Sequence, residues 1–466
     1  MGRTRPGAGV TVRHRFAPLA LFLLPIAVQI AGYWPGLITW DSIRQYDQAL
    51  SGDYDDWHPP VMEWLWSKLI LIQPGTAPML IVQLVLFWGG FLGLAAWCLK
   101  ERRHISFAGV FAVALLPVPL ALLGAILKDS LMAGALLSAA ALIVWRERLG
   151  LWATAIGIGL LVFAATLRFN AWPACLPLLL ALLPASAIRT LPRFILSTLV
   201  GLAVLVAAMP VANRLLGAKR SGVELSLIIF DLSGITRFSG ENQFPDTGVA
   251  NPVAVNQRCY SPVKWDNYSF WARDPCPITF YDIDDAFQDT HQSPVRWWLS
   301  AIAAHPLAYL QHRAGHYNIN ARLFVTDDIA IDRPVPKDAP PNDWGFHIPG
   351  TVAQRWIDGA ALAAAPTPLN WPIVWMALAL GVLLAWPEGT ALPLAASALL
   401  YGLSYFPTSV SAEMRYHLWT IIAAGLALAF AADAMVQRRV PLGRWLKLGA
   451  PPAFVALLCA AARLAG

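Results

Sequence analysis

A succession of apolar runs, each about as long as a bilayer core is thick, limits what this chain can fold into more than any other feature. A helix needs roughly 20 predominantly apolar residues to cross hydrocarbon. Runs of this kind fall at 16–34, 77–98, 107–125, 131–145, 151–167, 172–188, 194–213, 371–386, 391–406, 417–435 and 449–465. They predict an all-α polytopic membrane protein with about eleven transmembrane helices, lodged in a lipid bilayer. Composition agrees, because hydrophobic residues make up 57% of the chain and charged residues only 13%. A soluble domain carries about twice that charged fraction. The net charge of +6 is what cytoplasmic anchoring of such helices requires, so no nucleic-acid partner is expected.

Lys and Arg in the connections set the orientation. They fall at Arg3, Arg5, Arg13 and Arg15, then Lys100, Arg102 and Arg103, then Arg146 and Arg148, Arg189 and Arg193, and lastly Arg438, Arg439, Arg444 and Lys447. Alternating spans put all five groups on one side, which is therefore the cytoplasm. The basic start precedes an apolar run that ends in Tyr33-Trp34-Pro35-Gly36 without a small-residue cleavage site, which reads as a retained signal anchor with a cytoplasmic N-terminus. The opposite side receives 35–76, 126–130, 168–171, 214–370 and 407–416. Three parts result: a transmembrane module over 1–213 that carries the outer loop 35–76, an α-helical extracytoplasmic loop domain over 214–370, and C-terminal transmembrane helices over 371–466. The loop domain holds an amphipathic stretch from Ser293 to Phe324 and two cysteines, Cys259 and Cys276, for which an oxidising exterior predicts a disulfide. Cys98, Cys175 and Cys459 lie in or beside apolar spans and read as packing residues.

The polar chemistry gathers on that outer side. The first outer loop carries Asp41, Asp47, Asp53, Asp55, Asp56 and His58. Asp41 follows directly on the first span. Lost hydration there raises a carboxyl's pKa and its basicity, as a general base needs. The competing reading makes Asp41 an N-cap for a helix through Ser42-Ile43-Arg44-Gln45, and the two are compatible. Pro59-Pro60 sets a rigid turn before an apolar helix from Val61 to Leu69, and His58 before it can orient a carboxylate, bind phosphate or hold a metal. Three cations stand against the positive-inside bias: Lys128, Arg168 and Arg415. Charge so near hydrocarbon needs a partner, either an acidic residue or an anionic ligand, and three on one face favour a shared anion such as phosphate. His312 and His316, four apart, have metal-ligand spacing without a metalloprotease pattern, and Asp327, Asp328 and Asp332 form an acidic loop. No P-loop or dinucleotide glycine pattern occurs.

These stretches resemble the GT-C superfamily of membrane glycosyltransferases, in its bacterial, polyprenyl-phosphate-sugar-dependent form. The likeness lies in Trp40-Asp41-Ser42-Ile43-Arg44-Gln45-Tyr46 after the first span and in Asp56-Trp57-His58-Pro59-Pro60 in the same loop. Leu127-Lys128-Asp129-Ser130, Leu167-Arg168-Phe169-Asn170 and Met414-Arg415-Tyr416-His417 extend it along the outer face. The resemblance implies inverting transfer of a sugar from a polyprenyl-phosphate donor to an extracytoplasmic acceptor, at a bacterial inner membrane. It implies Asp41 as general base and Lys128, Arg168 and Arg415 as holders of the donor phosphate. Tyr46, His58 and Glu413 would contact sugar or acceptor, with Asp55 and Asp56 touching substrate or sharing the base role. Many members carry adjacent acids at the first site, whereas Asp41 is followed by Ser42. Metal use varies within the superfamily, so the metal is unassigned and a divalent cation is the one cofactor left open. The alternative is a transporter or lipid-linked substrate flippase. Transporters, however, place ionisable groups near the midplane and often show paired repeats, and neither is legible here.

Overall fold

The computed structural model describes residues 15–272, 274–325 and 338–465. Asp327, Asp328, Asp332, Arg3, Arg5 and Arg13 lie outside the described residues. Among the described residues the secondary structure is helical, apart from two isolated bridges, Leu37 with Ala125 and Lys264 with Ser411. Each apolar run of the sequence falls on a helix or a pair of helices. Five are long and apolar enough to cross a membrane: Ala77–Lys100, Lys128–Leu149, Leu191–Leu215, Met414–Gln437 and Leu442–Ala465. Ala17–Tyr33, His104–Ala114, Leu151–Ala165, Trp172–Leu182 and Pro372–Ala385 are shorter apolar helices. The run expected at 107–125 is split into His104–Ala114 and Pro117–Leu122. Pro117 has no N–H for the helix above it and disfavours helical geometry in the residue before it.

The described residues of Met1–Ala218, Ile331–Gly402 and Arg415–Ala456 form one compact unit. Its centre is a close pairing of the Ala77–Lys100 and Lys128–Leu149 helices. Gly90 permits it, because a Cβ there would meet the backbone of Leu137 and Ser138 at under 3 Å. Small residues at such crossings let helices gain packing contacts where lipid supplies no hydrophobic drive. Ser138 adds a hydrogen bond across the pair, donating to the Leu86 carbonyl at 2.6 Å. Other faces stay bare: Phe194, Ile195, Leu196 and Leu199 are exposed on the Leu191–Leu215 helix. A contiguous apolar surface of that kind belongs against lipid, and the chain is a multi-pass membrane protein. The stretch 338–370, expected with the loop domain, packs in this unit instead. Its helix Val352–Ala364 lies on the first apolar helix, where Tyr33 donates to Asp358 at 2.6 Å and Thr351 donates to the Gly32 carbonyl at 3.0 Å.

The second unit comprises the described residues of Lys219–Ala330, Leu403–Met414 and Leu457–Gly466. The helix Glu224–Ser239 packs on Pro306–Ala321, and Gly234 gives the close approach because a Cβ there would overlap the His312 ring. The amphipathic stretch from Ser293 to Phe324 forms two helices, Pro294–Ala304 and Pro306–Ala321, separated at His305. Cys259 and Cys276 form a disulfide. His312 and His316 do not converge on a metal. His312 is enclosed between Asp231 and Tyr260, and His316 donates to the Pro262 carbonyl.

Candidate active site

The chain folds its first outer loop onto the start of the Lys128–Leu149 helix through a short backbone joint. Leu37 donates to the Gly124 carbonyl and accepts from Ile126, while the buried amide of Gln83 clamps the Ala125 carbonyl and the Leu127 N–H at 3.1 Å each. Thr39 then caps the helix Trp40–Ser51 in a reciprocal capping box with Ser42. Asp41 is therefore not the N-cap. It sits in the first turn, where the helix's exposed N–H groups favour negative charge. Ser42 is fully buried and donates its hydroxyl to the Ile126 carbonyl at 2.6 Å. A carboxylate at position 42 would face that carbonyl oxygen with nothing to donate. The joint sets Asp41 beside Lys128, the first residue of its own helix.

Four side chains of this unit meet there. Arg415 Nη1 lies 2.6 Å from Asp41 Oδ2 and Lys128 Nζ lies 3.7 Å from the same oxygen. Lys128 Nζ is also 2.6 Å from His58 Nδ1, and His58 Nε2 is 3.8 Å from Asp41 Oδ1. An ammonium can only donate, so Nδ1 must be the acceptor and the ring proton sits on Nε2, facing the carboxylate. Burial first, and then the Lys128 charge, push the imidazole down to about 3, so it is neutral at physiological pH. Asp41 is one-fifth exposed. Burial works against its ionisation, but Arg415 and the other positive neighbours outweigh that and hold the carboxyl well below its ordinary range. With His58 neutral, Arg415 and Lys128 supply that effect. The basicity expected from lost hydration is thus overturned in this state: the neighbours, not the membrane boundary, decide the sign.

Arg168 reaches the same neighbourhood by another route. It forms an ion pair with buried Asp129, and its guanidinium stands 4.4 Å from the centre of the Tyr416 ring. Arg415 stands 5.7 Å from that same ring, so both arginines border Tyr416. The remaining candidates are placed differently. Tyr46 is buried, with its hydroxyl accepting from the Gly75 N–H and its ring against Trp66, Trp344 and Phe346. Asp55 accepts from Arg44 at 2.5 Å, Gln48 at 2.9 Å and the Trp57 N–H at 2.9 Å, which fixes the loop ahead of His58. Asp56 is half-buried in the same turn, and Glu413 belongs to the second unit. A divalent cation fits this donor set poorly. Asp41 would be its one charged ligand, with a lysine and an arginine already against that carboxylate, and among the described residues no group of three potential ligands is poised.

Two further residues escaped sequence reasoning. Glu63 and Gln45 are fully buried on facing helices, near enough for the Gln45 amide to act on the Glu63 carboxyl, and among the described residues neither side chain forms a hydrogen bond of good geometry. A glutamate inside Val-Met-Glu-Trp-Leu-Trp was the one available signal. Burial raises the Glu63 carboxyl to about 8. The unfolded chain releases this proton at ordinary carboxylate pH and the folded protein holds it, so between those values the folded state binds more protons and stability falls as pH rises. Glu63→Gln is therefore expected to melt with wild type near pH 4.5 and several degrees above it at pH 8–9, roughly what a few kcal/mol of relieved ionisation would give. Parallel melting curves at both pH values would refute the buried acid.

No protein-family model matches the chain, and no curated protein matches it. Among solved structures it is similar to the Archaeoglobus fulgidus oligosaccharyltransferase, crystallised tethered to an acceptor peptide containing the NVT sequon. The TM-score is 0.30 at 12% sequence identity, over 95% of this chain and 55% of that one. The chain thus spans about half the length of that enzyme.

Proposed function

We propose that this membrane protein is a GT-C-type glycosyltransferase that moves a sugar from a polyprenyl-phosphate carrier to a hydroxyl acceptor outside the cytoplasm. The observation that carries the reading is a carboxylate with two cations within 4 Å, at the mouth of the first outer loop: Asp41 with Arg415 and Lys128. A base and an anion cradle are the two parts that this chemistry needs. Asp41 takes the acceptor's hydroxyl proton as the acceptor oxygen bonds to the sugar's anomeric carbon from the face opposite the phosphate. The bond from that carbon to the phosphate oxygen breaks, its electron pair leaves with the phosphate, and Lys128 and Arg415 stabilise the charge. Attack from the opposite face inverts the anomeric centre. His58, neutral with its Nε2 proton towards Asp41, keeps the carboxylate oriented, and Arg168 borders the cradle through Tyr416. The side occupied by basic connections supports an exterior-facing site, as does a disulfide at Cys259 and Cys276.

Purified protein incubated with radiolabelled polyprenyl-phosphate sugars and a panel of lipid, glycan and peptide acceptors should produce labelled acceptor. Labelled substrate crossing a liposome membrane, with no transfer from any donor, would replace this reading with a flippase.

A further inference from the structure

Each cation assigned to the donor phosphate is already engaged by a side chain of the protein. Arg415 is on Asp41, Lys128 is on His58 and Asp41, and Arg168 is on Asp129. Such a site is closed to a further cation but open to a competing anion. It also poses a problem for catalysis, because a carboxylate 2.6 Å from a guanidinium is a poor proton acceptor. We propose that the phosphate group of the ligand competes with Asp41 for Arg415 and Lys128, so that binding of the donor is itself what frees Asp41 to act as a base. This rests on the glycosyltransferase reading and deepens it.

The geometry gives the competition a direction. A phosphate monoester or diester offers three or two charged oxygens to the two cations, whereas Asp41 meets both through its Oδ2, at 2.6 Å from Arg415 Nη1 and 3.7 Å from Lys128 Nζ. An anion that draws both cations through its own oxygens removes the main charges that hold Asp41 ionised. The carboxylate then loses its strongest partners while the neutral His58 stays on its other oxygen at 3.8 Å. Acceptor deprotonation is thereby coupled to donor occupancy: an acceptor arriving first meets an ion-paired carboxylate, and an acceptor arriving second meets a base. Asp129 is the matching competitor for Arg168, ion-paired with it when no anion is bound.

The competition predicts that removing the catalytic carboxylate improves ligand binding. Full-length wild type, Asp41→Asn and Asp129→Asn would be placed in phosphatidylcholine nanodiscs and titrated with a polyprenyl monophosphate and, separately, with inorganic phosphate. Asp41→Asn should bind the polyprenyl monophosphate about tenfold more tightly than wild type, the scale of one partly desolvated charge pair. Asp129→Asn should shift binding the same way by a smaller factor, which keeps the idea testable if the first variant fails to fold. Equal or weaker binding by a folded variant overturns the competition while leaving the phosphate site intact. Binding of the polyprenyl monophosphate by none of the three proteins overturns the phosphate site and the competition together. Tightening seen equally with inorganic phosphate supports the competition and shifts the ligand from a lipid headgroup to the free anion.

Discussion

Asp41→Asn is expected to lower the single-turnover rate of sugar transfer by roughly 10²–10⁴-fold, the usual worth of a positioned general base. The substitution is nearly isosteric. Its amide oxygen can still accept from Arg415, Thr39 and Ser42 still close the capping box, and the Leu37 joint is untouched. The loss should therefore fall on chemistry, with the melting temperature in detergent within a few degrees of wild type. A variant that transfers at the wild-type rate would remove Asp41 from the mechanism. A variant that is inactive and also unfolded would instead make Asp41 a structural partner of Arg415. Asp55→Asn is the natural comparison, since Asp55 accepts from Arg44 and Gln48 and is not among the groups gathered at Asp41.

Arg313→Leu is expected to be the most destabilising single change in the second unit. Arg313, Asp231 and His312 are all fully buried. Arg313 Nε lies 2.6 Å from Asp231, Trp298 donates to Asp231 at 2.8 Å and Arg313 also donates to the Ser409 carbonyl at 2.6 Å. Burial alone would favour a protonated Asp231, but Arg313 outweighs it and keeps the carboxylate ionised. Removing the arginine strands that charge, at about 3–5 kcal/mol. Removing both partners strands no charge, and leaves only neutral groups, the Trp298 indole N–H and the Ser409 carbonyl, without their partners. The double change Arg313→Leu with Asp231→Leu should therefore recover most of the loss, as limited proteolysis of the second unit would report. A double variant as unstable as the single one would mean that packing volume, not charge, is what Arg313 contributes.

What was legible in the sequence followed from period and sidedness. Long apolar runs dictate helices because lipid leaves no other way to satisfy the backbone, and each such run is helical. The turn at Pro59-Pro60 was legible for the same local reason, with Val61–Leu69 following it. Within the site, Lys128 and Arg415 stood out as cations against the positive-inside bias and Asp41 and His58 as the polar chemistry of the first outer loop, and the fold brings these four together. What escaped depends on contacts far apart in the chain. Nothing near position 41 says that residue 415 will neutralise it, so the carboxyl's depressed proton affinity was read with the opposite sign. Nothing near position 129 says that Arg168 will land on it. Tyr46 was a candidate contact because it ends the stretch that carries the family resemblance, yet its ring fills a cluster made with Trp344 and Phe346, some 300 positions away. The break at Pro117 was half-legible: the proline was visible, but not that it would end one helix and open another.

The hydroxyl of Ser42, spent on the Ile126 carbonyl, also bears on how such a protein tolerates change. The residue at position 42 is the peg that joins the first outer loop to the connection just ahead of the Lys128–Leu149 helix. A single substitution would loosen the peg. Residue 42 is thus a fixing point of the loop as well as a neighbour of Asp41, and a change there acts on attachment and chemistry at once.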